Sequence, residues 1–170
     1  QARLPQARPF APGATLPFDD AELLIEWRAE APRRIERQGD RLVVGGPLDG
    51  LGRRIAAWLK RQALAILSAE TAHYAALAGV KVSEVAIGDP RGRWGSCSSS
   101  GAIRYSWRLV LAPAWVRRAT VAHEVAHRVH MNHGPAFHAL VARLYDADPT
   151  PARAWLRRHG AALHWFGRES

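Results

Sequence analysis

The 170-residue chain carries His123-Glu124-Val125-Ala126-His127 in its second half. On an α-helix, two histidines four positions apart sit about 40° apart around the axis, one turn above the other. Both imidazoles can therefore reach one ion. Glu124 flanks that face, where it can hold a water more readily than complete a metal shell. The chemistry this spacing serves is metal-assisted hydrolysis, with two imidazole ligands and a carboxylate base. Chance yields such a match about once in sixty chains of this composition, so a further ligand is needed to make the case.

Tetrahedral zinc in a catalytic site takes three protein ligands and leaves one position open. Three candidate histidines follow the motif: His130, His133 and His138. His130 shares the helical face but lies two turns above His123, about 7 Å along the axis from an ion held by His123 and His127. His133 follows Asn132, a residue type that tolerates the left-handed turn ending a helix. Such a turn swings His133 back, which makes it the expected third ligand, with His130 and His138 as alternatives. Asp146 is a conceivable oxygen ligand and reads better as a helix end.

Four ordered motifs surround these residues: Gly92-Arg93-Trp94-Gly95-Ser96-Cys97-Ser98, Trp107-Arg108-Leu109-Val110-Leu111-Ala112-Pro113, the histidine pair with Glu124, and Met131-Asn132-His133-Gly134-Pro135-Ala136-Phe137. Together they resemble the YgjP-like metallopeptidase family, over most of residues 20–160. SprT-like proteases resemble the chain more distantly, through His-x-x-x-Phe after the active helix. The resemblance implies a zincin-like catalytic half, zinc held by His123, His127 and His133, and Glu124 as general base. It also implies a polypeptide substrate laid beside the strand that precedes the active helix. Ser106 and His138 depart from the family, which usually has Asn and an aromatic residue there. Arg93, Tyr105, Arg108 and Tyr145 are candidates for contacting substrate or the transition state. Cys97 reads as a small residue in a tight loop, or as a thiolate able to reach the fourth zinc position.

The elements that must position these groups follow from periodicity. Residues 1–18, with Pro5, Pro9, Pro12, Gly13 and Pro17, read as a flexible leader. Residues 19–170 read as one metallopeptidase domain, with N-terminal strands and a long helix over 19–80 and the catalytic part over 81–170. Strands are expected from Glu22 to Arg28, over 41–44 and over 82–87. A helix spans 51–78 with Gly79 as its stop. Residues 89–101 form a loop or wide hairpin, and alternation predicts a strand over 103–111. Helices follow over 114–131, 135–145 and from Thr150 to Gly160. The fold class is α+β, with a small, mostly antiparallel sheet packed on helices.

Composition bounds the alternatives. With 48% hydrophobic and 23% charged residues, a packed core is expected. No apolar run approaches the roughly 18 residues of a membrane helix. The single cysteine excludes a disulfide framework and fits a reducing compartment, the cytoplasm. A net charge of +9 raises a rival from another class: a basic, nucleic-acid-associated module whose zinc site is structural or inactive. Of the 24 basic residues 22 are arginine, spread along the chain, which favours solvated faces and at most weak nucleic-acid association.

Overall fold

The computed structural model describes residues 6–169 as an α+β arrangement of four helices and two small mixed sheets. The first sheet has the order β1-β2-β4-β3 and comprises Thr15–Phe18, Ala21–Trp27, Arg41–Val44 and Glu36–Gln38 respectively. Here β2 pairs parallel with β4, while β1 and β3 pair antiparallel with their neighbours. The second has the order β5-β7-β6 and comprises Glu84–Gly88, Ala102–Ser106 and Gly95–Cys97, with β5 and β7 parallel. Both sheets are mixed, and three of the five strand pairings are antiparallel. The short strand β6 falls within the expected loop or wide hairpin over 89–101, and β3 falls where no strand was expected.

Helix α1, Leu51–Ala78, has the expected bounds. Gly79 ends it at φ 69°, a left-handed conformation open to glycine, and Val80 N–H donates to Ala75 O at 3.0 Å. Its buried residues Leu51, Ile55, Leu59, Ala63, Leu67 and Thr71 recur at about one turn and form the central wall of the core. Helices α2 (Ala114–Ala126), α3 (Pro135–Tyr145) and α4 (Thr150–Leu163) complete the second half of the chain. Gly160 does not stop α4 but lies inside it.

The segment expected to be a flexible leader is largely part of the fold. Phe10 and Leu16 are core residues, and β1 begins at Thr15. Arg8 N–H donates to Trp165 O, Gly167 N–H donates to Arg8 O, and the Arg8 guanidinium covers the Phe166 ring. Prolines suit this irregular, anchored path as well as a loose one. Residues 1–5 of the expected leader lie outside the described residues.

The hairpin that starts there clamps α2. Asp19 and Asp20 make the two-residue turn between β1 and β2, both at positive φ. Helix α2 begins after Pro113 with no side-chain cap of its own; Asp20 Oδ1 instead accepts from Ala114 N–H at 2.8 Å. Asp19 pairs with the buried Arg117 at 3.0 Å. Glu70 of α1 takes the same guanidinium through two bonds of 2.8 and 2.9 Å. One arginine therefore ties α2 to α1 and to the first sheet.

The strand expected over 103–111 stops at Ser106. Trp107–Leu111 form a buried 3₁₀ turn, and the Ser106 hydroxyl accepts from Arg108 N–H at 3.2 Å. The alternation misleads because its polar position, Arg108, is itself buried. Its guanidinium holds Asp89 and donates to the carbonyls of Leu163 and Phe166. On α2, Trp115 stays partly exposed instead of joining the inward face.

Removing one partner of a buried charge pair strands the other. Arg117→Ala should therefore cost about 3–5 kcal/mol of stability. Glu70→Gln combined with Arg117→Met should cost less than the sum of the single changes, as read by urea denaturation.

Candidate metal centre

Helix α2 ends at Ala126, earlier than periodicity suggests, and His127 is its C-cap. The next residues tighten: Arg128 N–H donates to Val125 O, and both Val129 and His130 N–H donate to Ala126 O. The Arg128 guanidinium holds the turn outward through Lys81 O at 2.9 Å. Asn132 is not in a left-handed conformation. The early end of the helix, not a turn at Asn132, brings His133 back.

The three expected ligands meet. Nitrogens of His123, His127 and His133 all lie within 4.8 Å of one another, and the Nε2 atoms of His127 and His133 are 3.0 Å apart. Zinc–imidazole bonds of about 2.0–2.1 Å suit such a cluster. His127 Nδ1 lies 3.1 Å from His130 O, so a proton there leaves Nε2 free as a ligand atom. His130 thus serves through its carbonyl, not its ring. His138 lies outside the cluster, its ring centroid 6.5 Å from that of His133. Asp146 ends α3 in a left-handed conformation.

The floor beneath the imidazoles is Phe137, which is fully buried. Its ring stacks on His127 at 4.5 Å between centroids and meets His123 and His133 edge-on at 4.9 Å each. Helix α3 places it there. Pro135 at its start has no N–H to satisfy, and Gly134 supplies the extended residue before it. Burial and the neighbouring imidazoles push His123 down to about 4. Burial also lowers His127. Both are therefore neutral near pH 7, the form a metal requires.

Glu124 sits beside this cluster, 5% exposed, and its carboxylate has no hydrogen-bond partner among the described residues. Burial raises it to about 7, against a smaller opposing pull from Arg93. Strand β6 approaches it closely: a Cβ on Gly95 would lie 2.9 Å from Glu124 Cγ and Oε2. Glycine at this position is thus what leaves room for the carboxylate.

A cleft of about 210 Å³ opens at His123 and Glu124. Its walls include Trp94, Thr120, Val141, Leu156, His138 and Arg153. Trp94 was visible as part of a motif. Arg153 and Leu156 come from α4 and carry no signal that separates them from other arginines and leucines. Of the suggested substrate contacts, Arg93 is the one whose charge reaches Glu124. Tyr105 is fully buried, its hydroxyl 2.8 Å from that of Thr71. Arg108 anchors the C-terminal segment. The Tyr145 hydroxyl donates to Trp115 O. None of these three lines the cleft. Cys97 lies on β6 outside the histidine cluster; its thiol is raised by burial and by Glu124. Strand β7 is central, so the exposed edge nearest Glu124 is β6, not the strand expected over 103–111.

His133→Ala should abolish stoichiometric metal uptake, whereas His130→Ala, which keeps its carbonyl, should retain it. Phe137→Ala should weaken metal affinity about tenfold or more. Elemental analysis and chelator competition read all three. The metal-free protein should also show the burial of Glu124. A raised carboxyl contributes stability that is full below its ordinary value of 4.5 and lost as pH rises through about 7. With chelator present, Glu124→Gln should therefore be the more stable protein at pH 8, by up to about 3 kcal/mol, and the two should converge near pH 4. Urea denaturation at the two pH values checks this.

The family model that describes the YgjP-like metallopeptidase domain matches residues 1–159. No curated protein and no solved structure matches the chain. With the match running through every motif around the three histidines, the chain belongs to the YgjP-like metallopeptidase family.

Proposed function

We propose that the protein is a zinc-dependent peptidase that hydrolyses polypeptides with Glu124 as its general base. The observation that carries this reading is the buried, unpartnered Glu124 carboxylate held beside the three converging imidazoles and facing a cleft. A carboxylate kept there is a cost to the fold unless it has chemistry to do.

Three neutral imidazoles are a donor set that suits zinc and leaves its charge uncompensated. When bound, zinc supplies an acidified water and polarises the substrate carbonyl. The chain's own residues do the rest. Glu124 accepts the proton of the attacking water and returns it to the leaving amine. The positive charge of Arg93 acts on Glu124 and favours its ionised form. An extended polypeptide can add to the open edge of β6 through main-chain hydrogen bonds, with side chains entering the cleft between α2, α3 and α4. That mode reads backbone more than sequence.

The basic charge is partly spent inside the protein. Arg54, Arg108, Arg117 and Arg128 each donate to internal carbonyls or carboxylates. This supports the peptidase reading over the nucleic-acid module and is consistent with DNA affinity no better than the non-specific range of about 10⁻⁴ to 10⁻⁶ M.

Glu124→Gln keeps the shape of the side chain and removes its basicity. It should retain zinc, yet cleave denatured casein slower than wild type by about 10² or more. Equal cleavage by the two would place the activity elsewhere, and loss of zinc would make Glu124 a ligand. Gly95→Ala should also retain zinc and lose activity, since its new methyl group displaces the carboxylate.

A further inference from the structure

Trp94 has a hollow on each side. One is the cleft at His123 and Glu124. The other, about 360 Å³, is lined by Arg91, His164, Trp165 and Arg168 together with Trp94 and Leu156, which belong to both walls. The dividing wall is fixed. A Cβ on Gly160 would lie 2.7 Å from Trp94 Cζ2, so the indole rests on the backbone of α4. The His164 ring packs 5.2 Å from it.

Among the described residues, the lining of the second hollow has two guanidinium groups and no carboxylate. Arg91 and Arg168 pair with no carboxylate among the described residues. Arg168 uses its Nε on the His164 carbonyl and lies 6.0 Å from the Trp165 ring centroid, which leaves its terminal nitrogens available. Asp89, 3.9 Å from His164 Nδ1, is committed to Arg108 at 2.7 and 3.2 Å. His164 Nδ1 is itself buried with no hydrogen-bond partner. A pocket with aromatic walls and two available guanidinium groups suits a planar anion that accepts several hydrogen bonds.

We propose that this hollow is a carboxylate subsite of the same cleft, binding an acidic side chain or the free C-terminal carboxylate of a polypeptide that crosses Trp94 from the metal centre. The proposal rests on the peptidase reading for its ligand. An extended chain sets same-side residues about 6.6 Å apart, so one such step carries a side chain over the indole from one hollow to the next. A nucleic acid would call for a longer track of phosphate contacts than two arginines beside one tryptophan.

The test uses a synthetic peptide library in three forms. One has Asp and Glu with amidated C termini, one has free C termini and no acidic residue, and one has neither. Retention is measured on zinc-loaded Glu124→Gln protein, and cleavage on wild type. At least one carboxylate form should bind about tenfold tighter than the neutral form and be cleaved with higher kcat/KM, and which one identifies the source of the carboxylate. In Arg91→Gln/Arg168→Gln, made in both backgrounds, the ratio of carboxylate to neutral form should fall to about one. His164→Gln, a milder change at the pocket wall, should lower the ratio in the same direction. An unchanged ratio in the arginine variant, or no preference in its parent, overturns the subsite. Tighter retention of a single-stranded DNA decamer that displaces the peptides overturns it in favour of nucleic acid. A binding preference that disappears in the arginine variant, without cleavage by wild type, supports the subsite and fails the peptidase reading instead.

Discussion

Everything at the metal centre depends on α2 stopping where it does. A helix carried through to residue 133 would lift His133 about 15 Å along the axis from His123, and no ion could bridge that gap. The helix stops because its last carbonyls are taken by tight turns, because His127 engages the His130 carbonyl, and because Arg128 is drawn to the far side by Lys81 O. The chain then returns across Phe137, whose ring supports all three imidazoles. The geometry of the ligands is thus set by backbone hydrogen bonds and one aromatic floor, before any metal contributes.

The other end of α2 is held just as deliberately. Pro113 cannot cap the helix, so the carboxylate of Asp20 does so from a hairpin 94 residues earlier in sequence. Asp19 in the same turn, with Glu70 of α1, fixes Arg117 one turn further along. Between these ends, Val121, Ala122, Val125 and Ala126 bury the inner face of α2. The two sheets and the long helix act as a frame for thirteen residues that present His123 and Glu124. A frame of this kind holds these two side chains at one position, as a pre-organised site requires.

Much of this was legible from residue types alone. Helix α1 announces both its period and its end, since Gly79 has no steric objection to a left-handed residue. The three histidines and Glu124 were legible because ligand chemistry restricts residue type as well as spacing. What was hidden shares one physical cause: it rests on partners distant in the chain. Arg108 and Arg117 look like surface arginines until the carboxylates and carbonyls that neutralise them are in view. Asp20 shows no sign in its own neighbourhood of capping a helix at residue 114. Strand β6 is three residues long, too short for alternation to declare itself, and Trp94 and Gly95 gain their meaning only against α4 and Glu124.

The pairing of Arg8 with the stretch from Trp165 to Gly167 bears on how the domain can be connected to anything else. Residues 6 and 169 are each within three positions of that junction, so the described chain is nearly a closed ring. Both ends of the described chain thus lie on one flank, next to the hollow of Trp165 and Arg168. A short linker could join the ends, and the ring could be reopened at an exposed loop such as that around Leu48 without separating the elements that hold α2. Partners joined directly at residues 6 and 169 would crowd the same flank of the molecule.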